Sequence, residues 1–269
     1  MRSKQIGANT YIDQFDSIEQ FYKYICDTPF NEAFRWSRHS SVENKYDFSQ
    51  TNSFEEATQL LKNGWDSMAK TLTTKLEVAN KSAQLIQKRR PVNGMAGYQP
   101  IVPLYLAGAP NSMVSHKMVT VKQKVVNITK LFNYSGFVNT SKIVDESVKV
   151  LQVVKKLEAQ GYRTNLNIAF CSQASDRTIG ATIRIKNANE RLNISKLAFP
   201  LVHPSMLRRL MFRYIEVSPN TTKGYTAGYG HPATWEESKQ IFTDSIVIPA
   251  IWSVDIDNVK SLEDIKGAV

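Results

Sequence analysis

The densest chemistry in the chain lies at His203, Arg208, Arg209 and Arg213. His203-Pro204-Ser205 reads as a helix start, with proline near the first position, where its missing N–H costs nothing. Leu207, Leu210, Met211 and Tyr214 then form an apolar face, and Arg209 and Arg213, four residues apart, share one side of the helix. A group of guanidinium forks near a helix start, beside an imidazole, could hold a phosphate or a carboxylate. Equally, the arginines can pair inside the protein with Glu216 or with acids of the C-terminal segment. Downstream, Lys223-Gly-Tyr-Thr-Ala-Gly-Tyr-Gly-His231 is a Gly/Tyr-rich loop of the kind that covers a site. Lys223 would bring charge to it, and Tyr225 and Tyr229 could stack on bases. The loop is not a P-loop, because no Gly-Lys-Ser/Thr stands at the required spacing. Ser135, after a predicted strand, would be a further hydroxyl. A pocket joining it to His203, Arg208 or Arg209 and the 223–231 loop would signal an enzyme acting on a phosphate-containing substrate.

Other chemistry is missing. His39, His116, His203 and His231 are scattered, and none has metal-ligand spacing with cysteine or another histidine. There is no His-Glu-x-x-His, Gly-x-Ser-x-Gly or dinucleotide glycine pattern. Cys171 follows a strand, where nucleophiles are sometimes placed, but reads better as a small buried hydrophobe. The three cations of Lys88-Arg-Arg-Pro91 have a sufficient reason in a helix C-terminus, with phosphate binding as the secondary reading. No catalytic residue, metal or cofactor is assigned.

Charge gives a second lead. The chain carries a formal +10, unevenly spread: residues 117–213 hold 17 Lys/Arg and 5 Asp/Glu, residues 214–269 hold 4 and 8, and residues 1–90 hold 13 and 11. A basic segment of this kind suits nucleic acid or an acidic protein, though charge without a reading motif carries little specificity. The alternative is a solvated basic face.

These residues must be positioned by a fold. Lys122–Phe132 is β-branched and apolar, Asn133-Tyr-Ser-Gly136 breaks it, and Asn139, Thr140 and Ser141 offer caps for a helix from about 142 to 160 that Gly161 can end. Thr164–Phe170 alternates again, so the unit is βαβ. The helix is apolar nearly all round, which implies burial between layers and a mostly parallel sheet. Polar residues 171–180 then lead into the alternating Ala181–Lys186, predicting an antiparallel hairpin at the sheet edge. Ile101–Ala107 reads as a strand with Pro103 at its edge, Ala198–Val202 as a short strand, and Ile246–Ser253 as a buried strand. A last short helix is predicted over 261–266.

Residues 1–92 read as a helical region: a helix around Ile18–Ile25, the capping box Ser53-Phe-Glu-Glu56, a stop at Gly64, and a second helix over about 67–88. Residues 93–269 form the sheet domain. The longest apolar run, Ile246–Val254, is interrupted by Pro249 and Ser253, the N-terminus has no signal-peptide core, and Cys26 and Cys171 make no disulfide framework. A reduced, intracellular, soluble protein without a membrane partner is expected.

The order strand, helix, strand, antiparallel strand over roughly residues 100–255 resembles the von Willebrand factor A-like fold. In that fold an Asp-x-Ser-x-Ser loop after the first strand binds a metal. Here Asn133, Ser135 and Phe137 stand at those positions, so the resemblance implies a lost metal site. Separately, Ser53-Phe-Glu-Glu-Ala57 with Gly64-Trp65, Tyr105-Leu-Ala-Gly-Ala-Pro110 with Met113, Leu157-Glu-Ala-Gln-Gly-Tyr-Arg163 and His203-Pro-Ser-Met-Leu-Arg-Arg209 resemble an uncharacterised family that recurs in tailed-bacteriophage genomes. That resemblance implies a phage protein made in the host cytoplasm. The expectation is therefore a three-layer, mostly parallel α/β sheet of von Willebrand factor A-like order behind an N-terminal helical region. In function it would be a non-enzymatic binding protein whose basic face meets nucleic acid or an acidic phage or host protein. The alternatives are the phosphate enzyme above and a virion component that oligomerises through an apolar patch on residues 54–90.

Overall fold

In a computed structural model, residues 1–29, 37–38, 46–79, 90–117, 124–134, 138–225 and 229–250 are described. The chain opens with β1 (Arg2–Ile6) and β2 (Thr10–Phe15), then α1 (Ile18–Asp27), α2 (Tyr46–Ser49), α3 (Phe54–Asn63) and α4 (Asp66–Ala79). Next come β3 (Arg90–Gly94), β4 (Gln99–Pro100), α5 (Val102–Leu106) and β5 (Met113–Lys117). The central unit is β6 (Val125–Leu131), α6 (Thr140–Ala159), β7 (Arg163–Gln173) and β8 (Thr178–Lys186). After α7 (Ile194–Val202), a π-helical stretch at Met206–Met211 runs into α8 (Phe212–Val217). β9 (His231–Pro232), α9 (Trp235–Ile241) and β10 (Ile246–Ile248) complete the described chain.

The main sheet has seven strands in the order β1-β2-β8-β7-β6-β10, with β9 also on β7. β10, β6 and β7 run parallel, as does the pair β2–β8, while β1–β2, β7–β8 and β7–β9 are antiparallel. The fold is thus mixed α/β around a parallel centre, with the antiparallel strand β8 following β7 as expected. That hairpin is tighter than the predicted ten-residue loop. β7 extends to Gln173, β8 begins at Thr178, and an Ala174 N–H to Arg177 carbonyl bond of 2.9 Å closes the turn. β8 is not an edge, because β2 pairs with its other side. The first fifteen residues therefore belong to the sheet, and α1, α3 and α4 are inserted between its strands.

Local chemistry sets the element ends. Asn139 accepts the Ser141 N–H to start α6, and Gly161, at φ +88°, lets the chain turn after it. Ile143, Val144, Val148, Val150, Leu151, Val153 and Val154 of α6 are all buried, each stabilising by about 1.5–3 kcal/mol relative to exposure. Ser53 caps α3 through the Glu56 N–H at 3.1 Å, but the Glu56 carboxylate returns to the Asn52 N–H, one residue before the predicted partner. The reciprocal capping box is found instead at Thr234 and Glu237. Gly64 ends α3 at φ +88°, and a Cβ there would stand 2.9 Å from the Ser195 carbonyl oxygen, so side-chain-free backbone is needed twice over.

Two predicted strands are helices. Pro103 sits in the first turn of α5, where it favours helix entry, rather than at a strand edge. Ala198–Val202 is the end of α7, capped at its start by Asn193. Met113–Lys117 forms the centre of a separate three-stranded sheet, β3-β5-β4. The apolar faces of α3 and α4 are turned inward: Phe54, Ala57, Leu61, Ala69, Leu72 and Leu76 are buried. The exposed apolar patch on residues 54–90 that the assembly alternative calls for is accordingly not seen among the side chains described there, residues 54–77. Residues 80–89 and the predicted helix at 261–266 lie outside the described residues.

Candidate functional site

The π-helical stretch and α8 turn all three predicted arginines into the protein. Arg209, fully buried, donates from Nε to Thr51 Oγ1 (2.8 Å), from Nη1 to the Ser37 carbonyl (3.1 Å) and from Nη2 to the Thr51 carbonyl (2.9 Å). Arg213, also fully buried, donates to the carbonyls of Ile25 and Thr28 and stands 3.5 Å from Glu216. Arg208 donates to the Phe48 carbonyl and lies over the Phe48 ring at 4.4 Å. Glu216 is a second hub, accepting from the Ser37 N–H (2.8 Å), Ser37 Oγ (2.7 Å) and Tyr229 Oη (2.6 Å). These groups staple α1, Ser37, residues 48–51 and the 229 region to the π-helical stretch and α8. Internal pairing with Glu216 is therefore present, and the guanidinium groups are engaged by carbonyls that would otherwise be buried and unpaired.

His203 is 3% exposed, packed between Trp65 (4.6 Å) and Phe199 (4.9 Å), and its Nδ1 accepts the Ser205 N–H at 3.1 Å. Burial pushes its pKa down to about 4, which keeps the ring neutral. Tyr225 is buried and donates to the Ser172 and Arg177 carbonyls, and burial raises its pKa to about 12. Tyr229, at φ +65°, is buried against Phe212. The Gly/Tyr loop thus seals the sheet with its tyrosines rather than presenting them for stacking, and among the described residues of the predicted group only Lys223 is exposed. Ser135 lies outside the described residues. Cys171 is buried and its thiol is pushed up to about 12 by burial, as suits a packing residue.

A buried ionic cluster had no counterpart in the sequence reading. Lys130 on β6, fully buried, lies 3.0 Å from Glu146 and 3.2 Å from Ser147 Oγ, both on α6, and also donates to Tyr134 Oη. Tyr134 donates to the same Glu146 oxygen at 2.8 Å. Burial pulls Lys130 below the usual lysine range, with Glu146 opposing that shift. The cluster ties β6 to the helix that crosses over it.

The opposite face of the sheet carries polar side chains. Arg184 Nε donates to Asn167, and Asn167 donates to Thr129, a relay across β8, β7 and β6. Together with Lys4, Gln14, Thr182 and the Ile241–Ser245 segment they line a cleft of about 240 Å³, in which Thr182 Oγ1 is buried without a partner among the described residues. Asp16 and Asp244 also line it, and Asp16 is held by Arg2 at 3.3 Å.

The exposed basic surface lies elsewhere. Of the 17 Lys/Arg in residues 117–213, Lys130, Lys186, Arg208, Arg209 and Arg213 are inside. On α6, Lys142, half-buried, and Lys149 and Lys156, both exposed, recur every seven residues on the side that does not face the core. At 1.5 Å per residue they span about 21 Å along one flank of the helix. None of the three is ion-paired among the described residues, and Asp145, on the same flank, is neutralised by Lys75 at 2.6 Å. Beside α4, a groove of about 840 Å³ is lined by Lys70 and Arg191 with Asp66, Thr73, Asn193 and Ser195. The seven-residue lysine spacing is visible in the sequence, but which side of the helix it faces is not.

No group of His, Cys, Asp and Glu suited to a metal is found among the described residues, and none of their helices is long and apolar enough to cross a membrane. No curated protein and no solved structure matches the chain. A family model described as a domain of unknown function, DUF7192, matches residues 2–268, and the chain therefore belongs to that family.

Proposed function

We propose that this protein binds a polyanion, a nucleic acid or an acidic protein, along the exposed lysine stripe of α6, and that it works without catalysis. The observation that carries the reading is the repeat of Lys142, Lys149 and Lys156 on the flank of an otherwise buried helix. A rigid helix holds the three charges at fixed spacing, so a strand of phosphates can meet them without ordering the protein first. Lys70 and Arg191 extend the basic surface. The predicted His203–Arg213 group, by contrast, is committed to the interior and contributes position rather than contact.

The motifs shared with the phage family support a setting in the host cytoplasm during infection. The run β6-α6-β7-β8 keeps the strand, helix, strand, antiparallel strand order of the von Willebrand factor A-like resemblance, and Asn133 gives that reading a degenerate metal loop. The Asn133 side chain accepts from the Cys171 N–H and donates to the Cys171 carbonyl, so it joins β6 to β7.

The test is a salt titration of the protein against labelled single- and double-stranded DNA and RNA. Affinity should fall steeply with salt. The Lys142→Glu/Lys149→Glu/Lys156→Glu variant should lose about three units of log–log slope on duplex DNA, roughly one per phosphate contact. Absence of binding at low salt, or binding that the triple variant leaves intact, overturns the reading.

A further inference from the structure

Residues 91–116 contain no Asp, Glu, Lys or Arg, in a chain that is 22% charged. This is also where the exposed apolar side chains collect. Met95 (79% exposed) and Tyr98 (61%) stand out on the connection between β3 and β4, and Val102 (59%), Leu104 (36%), Tyr105 (64%) and Leu106 (80%) on α5. Only Met1 and Val125 are similarly exposed among the large hydrophobics of the described residues. The strands of this small sheet pair with one another and not with the main sheet, and α5 has no buried residue. Its local order comes from backbone bonds, such as Tyr98 N–H to the Val114 carbonyl (2.9 Å) and Ile101 N–H to the Ser112 carbonyl (2.7 Å), and from Tyr98 stacked on His116 at 4.8 Å. The module is thus shaped, yet it leaves its apolar side chains in water.

We infer that this module, residues 90–117, is a self-association surface whose occupant is the same module of a second copy of the chain. Three observations choose the second copy. The exposed parts of the six side chains amount to an area on the order of 700 Å², close to the roughly 800 Å² that each partner contributes to a stable interface. Their composition, Tyr, Met and aliphatic residues without charge, is that of the apolar interfaces between identical subunits rather than of interfaces chosen by charge. Finally, each copy carries +10, so two copies repel through most of their surface and can approach closely through an uncharged region. A partner selected for its acidity would find no complement here. The contact is isologous, each module meeting its twin across a two-fold axis. It is independent of the polyanion reading, since it uses no residue of α6.

The experiment is sedimentation velocity on the full chain from 1 to about 100 μM, concentrations at or above the micromolar-to-picomolar dissociation constants of interfaces of this size. The expected species is a dimer, twice the 30.5 kDa chain mass. Tyr105→Glu/Leu106→Glu should be monomeric at every concentration, with the circular dichroism spectrum and melting temperature of the parent monomer. In a second measurement that does not rely on the charged variant folding, Leu106→Cys under mild oxidation should yield a covalent dimer through that position. Three results overturn the inference: a wild-type chain that stays monomeric throughout, a dimer that Tyr105→Glu/Leu106→Glu leaves intact, or flotation of the monomer with neutral phosphatidylcholine vesicles, which would assign the surface to a membrane.

Discussion

Acid should weaken this fold through His203 in a way that can be calculated. In the unfolded chain the imidazole titrates near 6.5, and in the fold burial holds it to about 4. A folded pKa below the unfolded one means that the unfolded chain takes up the proton first. The stabilising contribution is therefore complete above pH 6.5 and is lost as pH falls through 6.5 toward 4. Linkage over that window gives a loss of about 2 kcal/mol by pH 5 and about 3 kcal/mol by pH 4. The structure explains the cost: Nδ1 is occupied as an acceptor for the Ser205 N–H, and the ring is enclosed by Trp65 and Phe199, with no carboxylate of the described residues hydrogen-bonded to it. Protonation would set two donors against each other in an apolar cage. Urea unfolding at pH 7.5, 6, 5 and 4.5 measures the slope, and His203→Asn, which keeps an acceptor but does not titrate, supplies the reference. The variant should be less stable at neutral pH because ring packing is lost, yet the gap should close as pH falls. Wild type and variant losing stability in parallel from pH 7.5 to 4.5 would refute the argument, because His203 would then be protonated at no cost inside the fold.

Arg209→Met should destabilise by about 3–5 kcal/mol, since the Ser37 and Thr51 carbonyls and the Ser49 and Thr51 hydroxyls lose their buried donor, and equilibrium denaturation will report it. A loss below 1 kcal/mol would mean that solvent reaches those carbonyls. Gly180→Ala should cost about 1–3 kcal/mol in melting experiments, because its Cβ would lie 2.7 Å from Cys171 Sγ and from Ile12 Cδ1. Replacing Cys171 by serine in the same background should recover little, as the Phe170 carbonyl oxygen stands equally close.

The central unit could be read from the sequence because every signal for it is local. The cap at Asn139, the stop at Gly161 and the alternation on either side act within a few residues of where they stand. The arginines were legible as a cluster, with pairing to Glu216 inside the protein as one of two readings, but their backbone partners were not legible. Arg209 meets Ser37 and Thr51, and Arg213 meets Ile25, partners some 160–190 positions away that no spacing rule connects. β2 was missed for the same reason: six residues with two adjacent buried positions, Ile12 and Asp13, have no clean period, and their pairing partner is β8. Asp13 is buried because Tyr214 donates to it at 2.9 Å, another contact that only the folded chain makes. At α5 the local signal pointed both ways, since proline suits a strand edge and a helix start alike. The uncharged run over 91–116 was on view throughout, but its meaning depended on exposure, which composition cannot give.

The parallel pairing of β2 with β8 sets a timetable for synthesis. Thr10–Phe15 is synthesised well ahead of its neighbour, Thr178–Ile183, and can pair with it only after the intervening residues 16–177 have followed. At common elongation rates that interval is roughly 10–30 s. Through it, β1 and β2 can form their own hairpin, but Ile12 and Phe15 have no core to enter and one edge of β2 stays unpaired. The nascent β2 is thus an open strand edge throughout that interval, and the cell that makes this protein must keep that edge from pairing with a neighbouring chain until β8 arrives.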